Sequence, residues 1–134
     1  MPTYRLLLEY DGGAFSGWQR QPGRRTAQET LERALATVAR REIALQGASR
    51  TDAGVHATGQ AASFECDAEL EPRRLVAGVS ALCRPDAAVV AADRAPAGFN
   101  ARFASRGKRY RYRLLNRPAP SPLFAGVTDR KSVV

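Results

Sequence analysis

Thr3-Tyr4-Arg5-Leu6-Leu7-Leu8-Glu9-Tyr10 decides the fold class. In an extended chain Tyr4, Leu6, Leu8 and Tyr10 fall on one side and Arg5, Leu7 and Glu9 on the other, because successive strand side chains point to opposite faces. Asp11, Gly12 and Gly13 end the strand. The residues from Phe15 to Gly23, with Trp18, glycines and Pro22, read as an ordered loop.

Downstream of that loop, Thr26-Ala27-Gln28-Glu29 has the form of a capping box, in which the threonine hydroxyl accepts a backbone N–H three residues on and the glutamate reaches back. A helix is predicted from there. Leu31, Leu35 and Val38 recur at spacings of four and three and form one apolar stripe, until Arg40 and Arg41. Ile43 to Leu45 predicts a short strand ending at Gly47. Residues 60 to 66 predict another, with Ala62, Phe64 and Cys66 on a common face. Pro72 opens a second helix with the stripe Leu75, Val79 and Leu82, and Pro85 stops it. Ala87 to Ala92 predicts a further strand. After a loop carrying Pro96, Gly98 and Phe99, residues 108 to 115 alternate, with Tyr110, Tyr112 and Leu114 against Arg109, Arg111 and Arg113. The order strand, helix, strands, helix, strands predicts an α+β sandwich of the split βαβ (ferredoxin-like) class, a mainly antiparallel sheet with helices on one face.

A chain of 134 residues has room for one ordinary domain, and 44% apolar with 25% charged residues is the balance of a globular one. We read residues 1 to 116 as that domain. Arg117-Pro118-Ala119-Pro120-Ser121-Pro122 opens a semi-rigid connector over residues 117 to 128.

The net charge of +8, from 21 basic and 13 acidic residues, suits a polyanionic partner, although arginine with abundant alanine can also reflect coding bias. Position favours a binding surface, since residues 102 to 117 hold seven basic residues and no acid. Cys66, Cys83 and the lone His56 make no zinc spacing and no disulfide framework, so no metal site is expected. The start of the chain lacks the apolar run of a signal peptide, and no stretch approaches the ~18 apolar residues of a membrane span. A reducing, cytoplasmic setting is expected.

Arg50-Thr51-Asp52-Ala53-Gly54-Val55-His56-Ala57 carries the chemistry. It packs an arginine, a carboxylate, a glycine and an imidazole into one loop between strands, the kind of segment that bears function. Two readings of Asp52 fit these residues. Asp-Ala-Gly is a common turn in which the side chain caps its own backbone, and it can equally present a catalytic carboxylate that Arg50 holds ionised and oriented. His56 reads first as a structural hydrogen-bonding group, because acid or base work requires reach to a reacting proton. Tyr110 beside the arginine row suits base stacking, and equally a half-buried sheet position.

Ser49-Arg50-Thr51-Asp52-Ala53-Gly54-Val55-His56-Ala57 resembles the signature of the tRNA pseudouridine synthases of the A type. Glu9-Tyr10-Asp11-Gly12 and Gly17-Trp18-Gln19-Arg20-Gln21 resemble that family's opening strand and loop. Phe99-Asn100-Ala101-Arg102-Phe103 and Lys108-Arg109-Tyr110-Arg111-Tyr112 resemble its later segment. The motifs keep the family's order from Tyr4 to about Thr128. The resemblance implies an isomerase that works without cofactor and turns uridine into pseudouridine. Asp52 matches its nucleophile, Arg50 the basic residue paired with it, and Tyr110 the tyrosine that contacts the target uridine. Ser49 departs from the glycine common in the family; in an extended segment that change is nearly neutral, and an extended segment is expected.

Three routes stay open for such a carboxylate: addition to uracil C6, attack on the ribose C1′, and glycal formation with Asp52 as base. Each needs an ionised Asp52 in a water-poor pocket, and Arg50 is the expected partner. The target base must be turned out of its stack to reach it. By the resemblance, the substrate is a uridine on the 3′ side of the anticodon stem-loop, the partner is the tRNA anticodon arm, and the whole enzyme is a homodimer with no membrane association. The family's chain is about twice as long, with its cleft between two similar halves. This chain is therefore read as the N-terminal half, inactive alone, with residues 129 to 134 a non-native tail. Two other classes compete: a noncatalytic RNA-binding module using the surface of residues 102 to 117, and a small-molecule hydrolase using Asp52 with His56.

Overall fold

The computed structural model describes residues 1–104, 110–112 and 131–133, the last two segments by their backbone. Strand β1 (Thr3–Tyr10) is the expected strand: Tyr4, Leu6, Leu8 and Tyr10 are buried, whereas Arg5, Leu7 and Glu9 are exposed. Helix α1 (Ala27–Ala39) starts where Thr26 Oγ1 accepts the Glu29 N–H at 3.4 Å, while the Glu29 carboxylate turns forward to accept from Arg33 Nη2 at 2.7 Å. It ends because Arg40 takes a left-handed conformation with φ of 58°. The remaining elements are β2 (Gln46–Gly47), β3 (His56–Glu65), α2 (Pro72–Cys83), β4 (Ala87–Ala95), the one-turn α3 (Ala101–Ala104), β5 (Tyr110–Tyr112) and β6 (Lys131–Val133).

Strands β1 to β4 make a four-stranded antiparallel sheet: β1 lies between β4 and β3, and β2 pairs with β3. β6 joins β3 in parallel, and β5 pairs antiparallel with β6. The fold is α+β. Helices α1 and α2 cover the face that carries Tyr4, Leu6 and Leu8, and Leu31, Leu35, Leu75 and Val79 complete one core with them. Burying each such leucine contributes roughly 1.5–3 kcal/mol, which is why this face and no other organises the chain.

Several expectations need correction. The strand expected at Ile43 to Leu45 forms instead at Gln46–Gly47. The Leu45 N–H donates to Glu32 Oε2 at 2.8 Å and its carbonyl accepts from Gln28 Nε2 at 2.9 Å, so α1 side chains take the backbone groups a ladder would need. In α2 the buried stripe is Leu75, Val79 and Cys83, and Leu82 is 53% exposed. The helix faces the core through steps of four at its last turn, not three. The helices are not all on one face either: α3 packs on the opposite side, where the Ala101 N–H donates to Ser63 Oγ at 2.8 Å. Strands β3 and β4 run longer than expected. Of the strand expected over residues 108 to 115, Tyr110–Tyr112 is described; its flanks and the connector at 117 to 128 lie outside the described residues.

One irregularity lies close to the segment that carries Asp52. Leu8 is registered with Gln60 but Tyr10 with Ala57, so β3 carries one extra residue at Thr58–Gly59. Such a bulge bends and twists a strand locally, and here it lies just inside the start of β3 at His56.

Candidate active site

Asp52 lies on a tight turn. The Val55 N–H donates to the Asp52 carbonyl at 3.1 Å, and Gly54 supplies the positive φ of 82° that the turn demands. A turn is therefore present at Asp-Ala-Gly, and the bond that closes it comes from the Val55 backbone. It leaves the Asp52 side chain exposed at a depression of about 340 Å³, whose other walls are Arg50, Ser16, Gln19, Gln21 and Arg24.

Residues 33 to 43 positions earlier hold this turn on both sides. Before Asp52, Thr51 is buried; its hydroxyl meets Tyr10 Oη at 2.6 Å and its carbonyl accepts the Trp18 N–H at 3.0 Å. After Asp52, Gly12 presses on Val55 so closely that a Cβ on Gly12 would stand 2.1 Å from the Val55 carbonyl oxygen. Gly17 does the same before the turn, with φ of 85° and a hypothetical Cβ 2.8 Å from the Thr51 carbonyl oxygen. Tyr10 is in turn walled by Phe15 and Trp18, with ring centroids 6.0 and 6.1 Å away. The strand-and-loop motif after Glu9 is thus the bed on which the Asp52 turn lies. Reading the sequence alone did not assign Tyr10, Gly12, Gly17 and Trp18 to the site; the signal available was an aromatic and glycine density far beyond the needs of a connector.

Arg50 and Asp52 are both exposed and line the same depression. The water-poor enclosure expected around Asp52 is not built by the described residues. Tyr110 lies on β5, whose backbone reaches the sheet through β6: Tyr110 is registered with Val133, and Val133 with Ala57, six residues past Thr51. Its side chain lies outside the described residues. Ser49 is buried and does not have a positive φ, Arg40 alone among described non-glycine residues having one, so serine is unstrained where the family commonly has glycine.

His56 does not line this depression. It lines a second one, of about 470 Å³, together with Glu9, Asp11, Arg84 and Asp86, and its Nδ1 accepts the Gly12 N–H at 3.1 Å. The structure therefore separates His56 from Asp52 rather than joining them over one closed pocket. Cys66 and Cys83 are both buried and unpaired by disulfide, and burial pushes the Cys83 thiol up, which makes it a poor nucleophile. Among the described residues no cluster of His, Cys, Asp and Glu could hold a metal ion, and no helix is long and apolar enough to cross a membrane.

Residues 7–104 match the family model described as tRNA pseudouridine synthase. Curated relatives include the tRNA pseudouridine synthase A of Geobacter sulfurreducens, 46% identical over 123 residues, which is 92% of this chain and 50% of that protein. That of Beijerinckia indica is 44% identical over 127 residues, 94% of this chain and 49% of the relative, and that of Cereibacter sphaeroides 46% over 121 residues, 90% and 48%. The chain spans about half the length of the curated relatives it matches. With a family model matched over most of its length and relatives at this identity, the chain belongs to the tRNA pseudouridine synthase family.

Proposed function

We propose that the chain is the nucleophile-bearing half of an isomerase that converts uridine to pseudouridine in the anticodon stem-loop of tRNA. Asp52 carries this reading: a carboxylate on a turn clamped by backbone on both sides, at the mouth of a depression shared with Arg24 and Arg50. A rigid turn holds an attacking oxygen in one place, which is where most of the advantage of a positioned nucleophile comes from. Arg24 and Arg50 offer planar donors to the phosphates that flank an everted base, and Arg50 also steadies the Asp52 charge. Tyr110 is the residue against which the uracil ring packs. The strand order β4-β1-β3-β2, with α1 and α2 on one face, supports reading the fold as a split βαβ sandwich.

The exposure of Asp52 supports a further part of the proposal, that this chain alone does not turn over. Nucleophilic attack on a base or a ribose needs water kept out, and the missing wall belongs to the other half of the full-length enzyme, which acts as a homodimer in the cytoplasm. The test is to map pseudouridine in unmodified tRNA after incubation with the full-length enzyme, with its Asp52→Asn variant and with this chain. The full-length enzyme should modify the 3′ side of the anticodon stem-loop, and neither of the others should. Turnover by the Asp52→Asn enzyme would sink the assignment of the nucleophile. Salt-sensitive binding by the full-length enzyme without isomerisation would make it an RNA-binding module instead.

A further inference from the structure

His56 sits where β3 leaves the Asp52 turn, and its ring faces the start of the loop after β1. A backbone N–H can only donate, so the 3.1 Å contact from the Gly12 N–H to Nδ1 requires a lone pair on Nδ1 and puts the ring hydrogen on Nε2. Nε2 is buried and has no hydrogen-bond partner among the described residues, so Nδ1 is the edge through which the ring can respond. Asp11 Oδ1 lies 3.2 Å from that same Nδ1 and already accepts the Gly13 N–H at 2.8 Å. Two neighbouring N–H groups thus end on two neighbouring acceptors.

The charges around the ring are Glu9 and Asp11 at the end of β1, and Arg84 and Asp86 from the turn between α2 and β4, with Asp86 paired to Arg25 at 2.8 Å. Strand β6 adds the backbone of Lys131 next to Ser132, the register partner of His56. Asp11 is the acceptor within reach of Nδ1.

We propose that His56 is a positioning residue for the Asp52 turn: an Nδ1 lone pair holds the Gly12 amide, and a solvent proton on Nδ1 releases it by making Nδ1 a donor to Asp11. No other bond forms or breaks. The consequence reaches Asp52 because Gly12 is the residue that presses on the Val55 carbonyl, and Val55 closes the Asp52 turn. A buried N–H left facing a donor has no other partner, so the loop start must move. This proposal rests on the reading of Asp52 as the nucleophile for its effect on turnover, though not for the hydrogen bond itself.

The test is a titration of the ¹⁵N-labelled chain from about pH 8 to about pH 5, the range in which histidine commonly changes charge. Ring nitrogen shifts follow His56 while amide exchange follows Gly12, Trp18 and Val55. The three amides should lose protection together as Nδ1 gains its proton. His56→Asn, whose Oδ1 takes the place of Nδ1, should keep the Gly12 amide protected throughout, and His56→Gln, whose polar atoms reach only the place of Nε2, should not. Gly12 protection that ignores the His56 titration overturns the proposal, and so does a His56→Gln chain that behaves like His56→Asn. The wild-type titration decides the matter even if a variant fails to fold. In the full-length enzyme, His56→Gln should lower kcat on the order of ten- to a hundredfold at nearly constant KM for tRNA, with His56→Asn restoring it. If Asp52→Asn retains activity, the functional reading fails while the amide titration still stands on its own.

Discussion

Strand β1 carries a tyrosine near each end of its buried face, and the two hydroxyls do different jobs. Tyr4 Oη accepts the Leu70 N–H at 2.7 Å and donates to the Ala68 carbonyl at 3.1 Å, fixing the chain that leads into α2. Its ring stacks on Phe64 across the strand pair, with centroids 5.3 Å apart. Tyr10 instead spends its hydroxyl on Thr51, beside Asp52, and stands among Phe15, Trp18 and the close-packed Gly12 and Gly17. Side chains six positions apart on one strand face look alike in sequence. What separates them is the material packed around them, which at one end supports a helix and at the other holds the Asp52 turn still.

The sharpest way to break this comparison is at Gly12. Gly12→Ala drives a Cβ into the backbone of Val55, which cannot rotate away as a side chain could. The expected loss exceeds the ~3 kcal/mol usual for overpacking and shows as a large fall in the thermal midpoint. A variant that melts like the parent would mean the two loops are not locked together.

Removing each tyrosine hydroxyl is the next largest change. Tyr4→Phe and Tyr10→Phe should each cost about 1–3 kcal/mol, because a buried or half-buried partner loses its hydrogen bond. In the full-length enzyme only Tyr10→Phe should also slow pseudouridine formation beyond what the stability loss explains. Equal effects of both on turnover would erase the distinction between the two ends of β1.

The smallest effect is expected at the Tyr4 end, on the face of the sheet opposite α1 and α2. Arg5 grips Asp93 through Nε at 2.9 Å and Nη2 at 2.5 Å, and these hydrogen bonds hold the Asp93 carboxyl below its ordinary range. A depressed carboxyl contributes stability above its unfolded pKa of about 3.9 and loses it as pH falls through the folded value. Both side chains are well exposed, so water screens the pair and the contribution is small. Asp93→Asn should lower the melting temperature slightly at neutral pH, and the difference from the parent should vanish once acid has protonated Asp93.

Local chemistry made much of this legible. Period-two alternation in β1, the Thr26 cap and Pro72 at the start of α2 were each readable from a few adjacent residues, and each is found in place. The Asp52 segment was legible as a turn for the same reason. The illegible parts depended on partners distant in sequence. Ile43 to Leu45 has the composition of a strand, but Gln28 and Glu32 reach its backbone first. Leu82 and Cys83 compete for one core position at the end of α2, and residue type favours the leucine while geometry chose the cysteine. The bed beneath Asp52 could not be read locally because its members lie 33 to 43 positions from the residues they hold, from Trp18 with Thr51 to Gly12 with Val55.

Trp18 is the one tryptophan in the chain, 2% exposed, and its amide is bonded to the Thr51 carbonyl. Its indole lies where a Cβ on Gly47 would fall, 2.7 Å from Cε2. The protein therefore has a built-in optical probe behind its candidate nucleophile. Indole emission shifts and quenches with changes in its surroundings, so a single fluorescence signal reports whether the Asp52 turn is seated, without any label near the site.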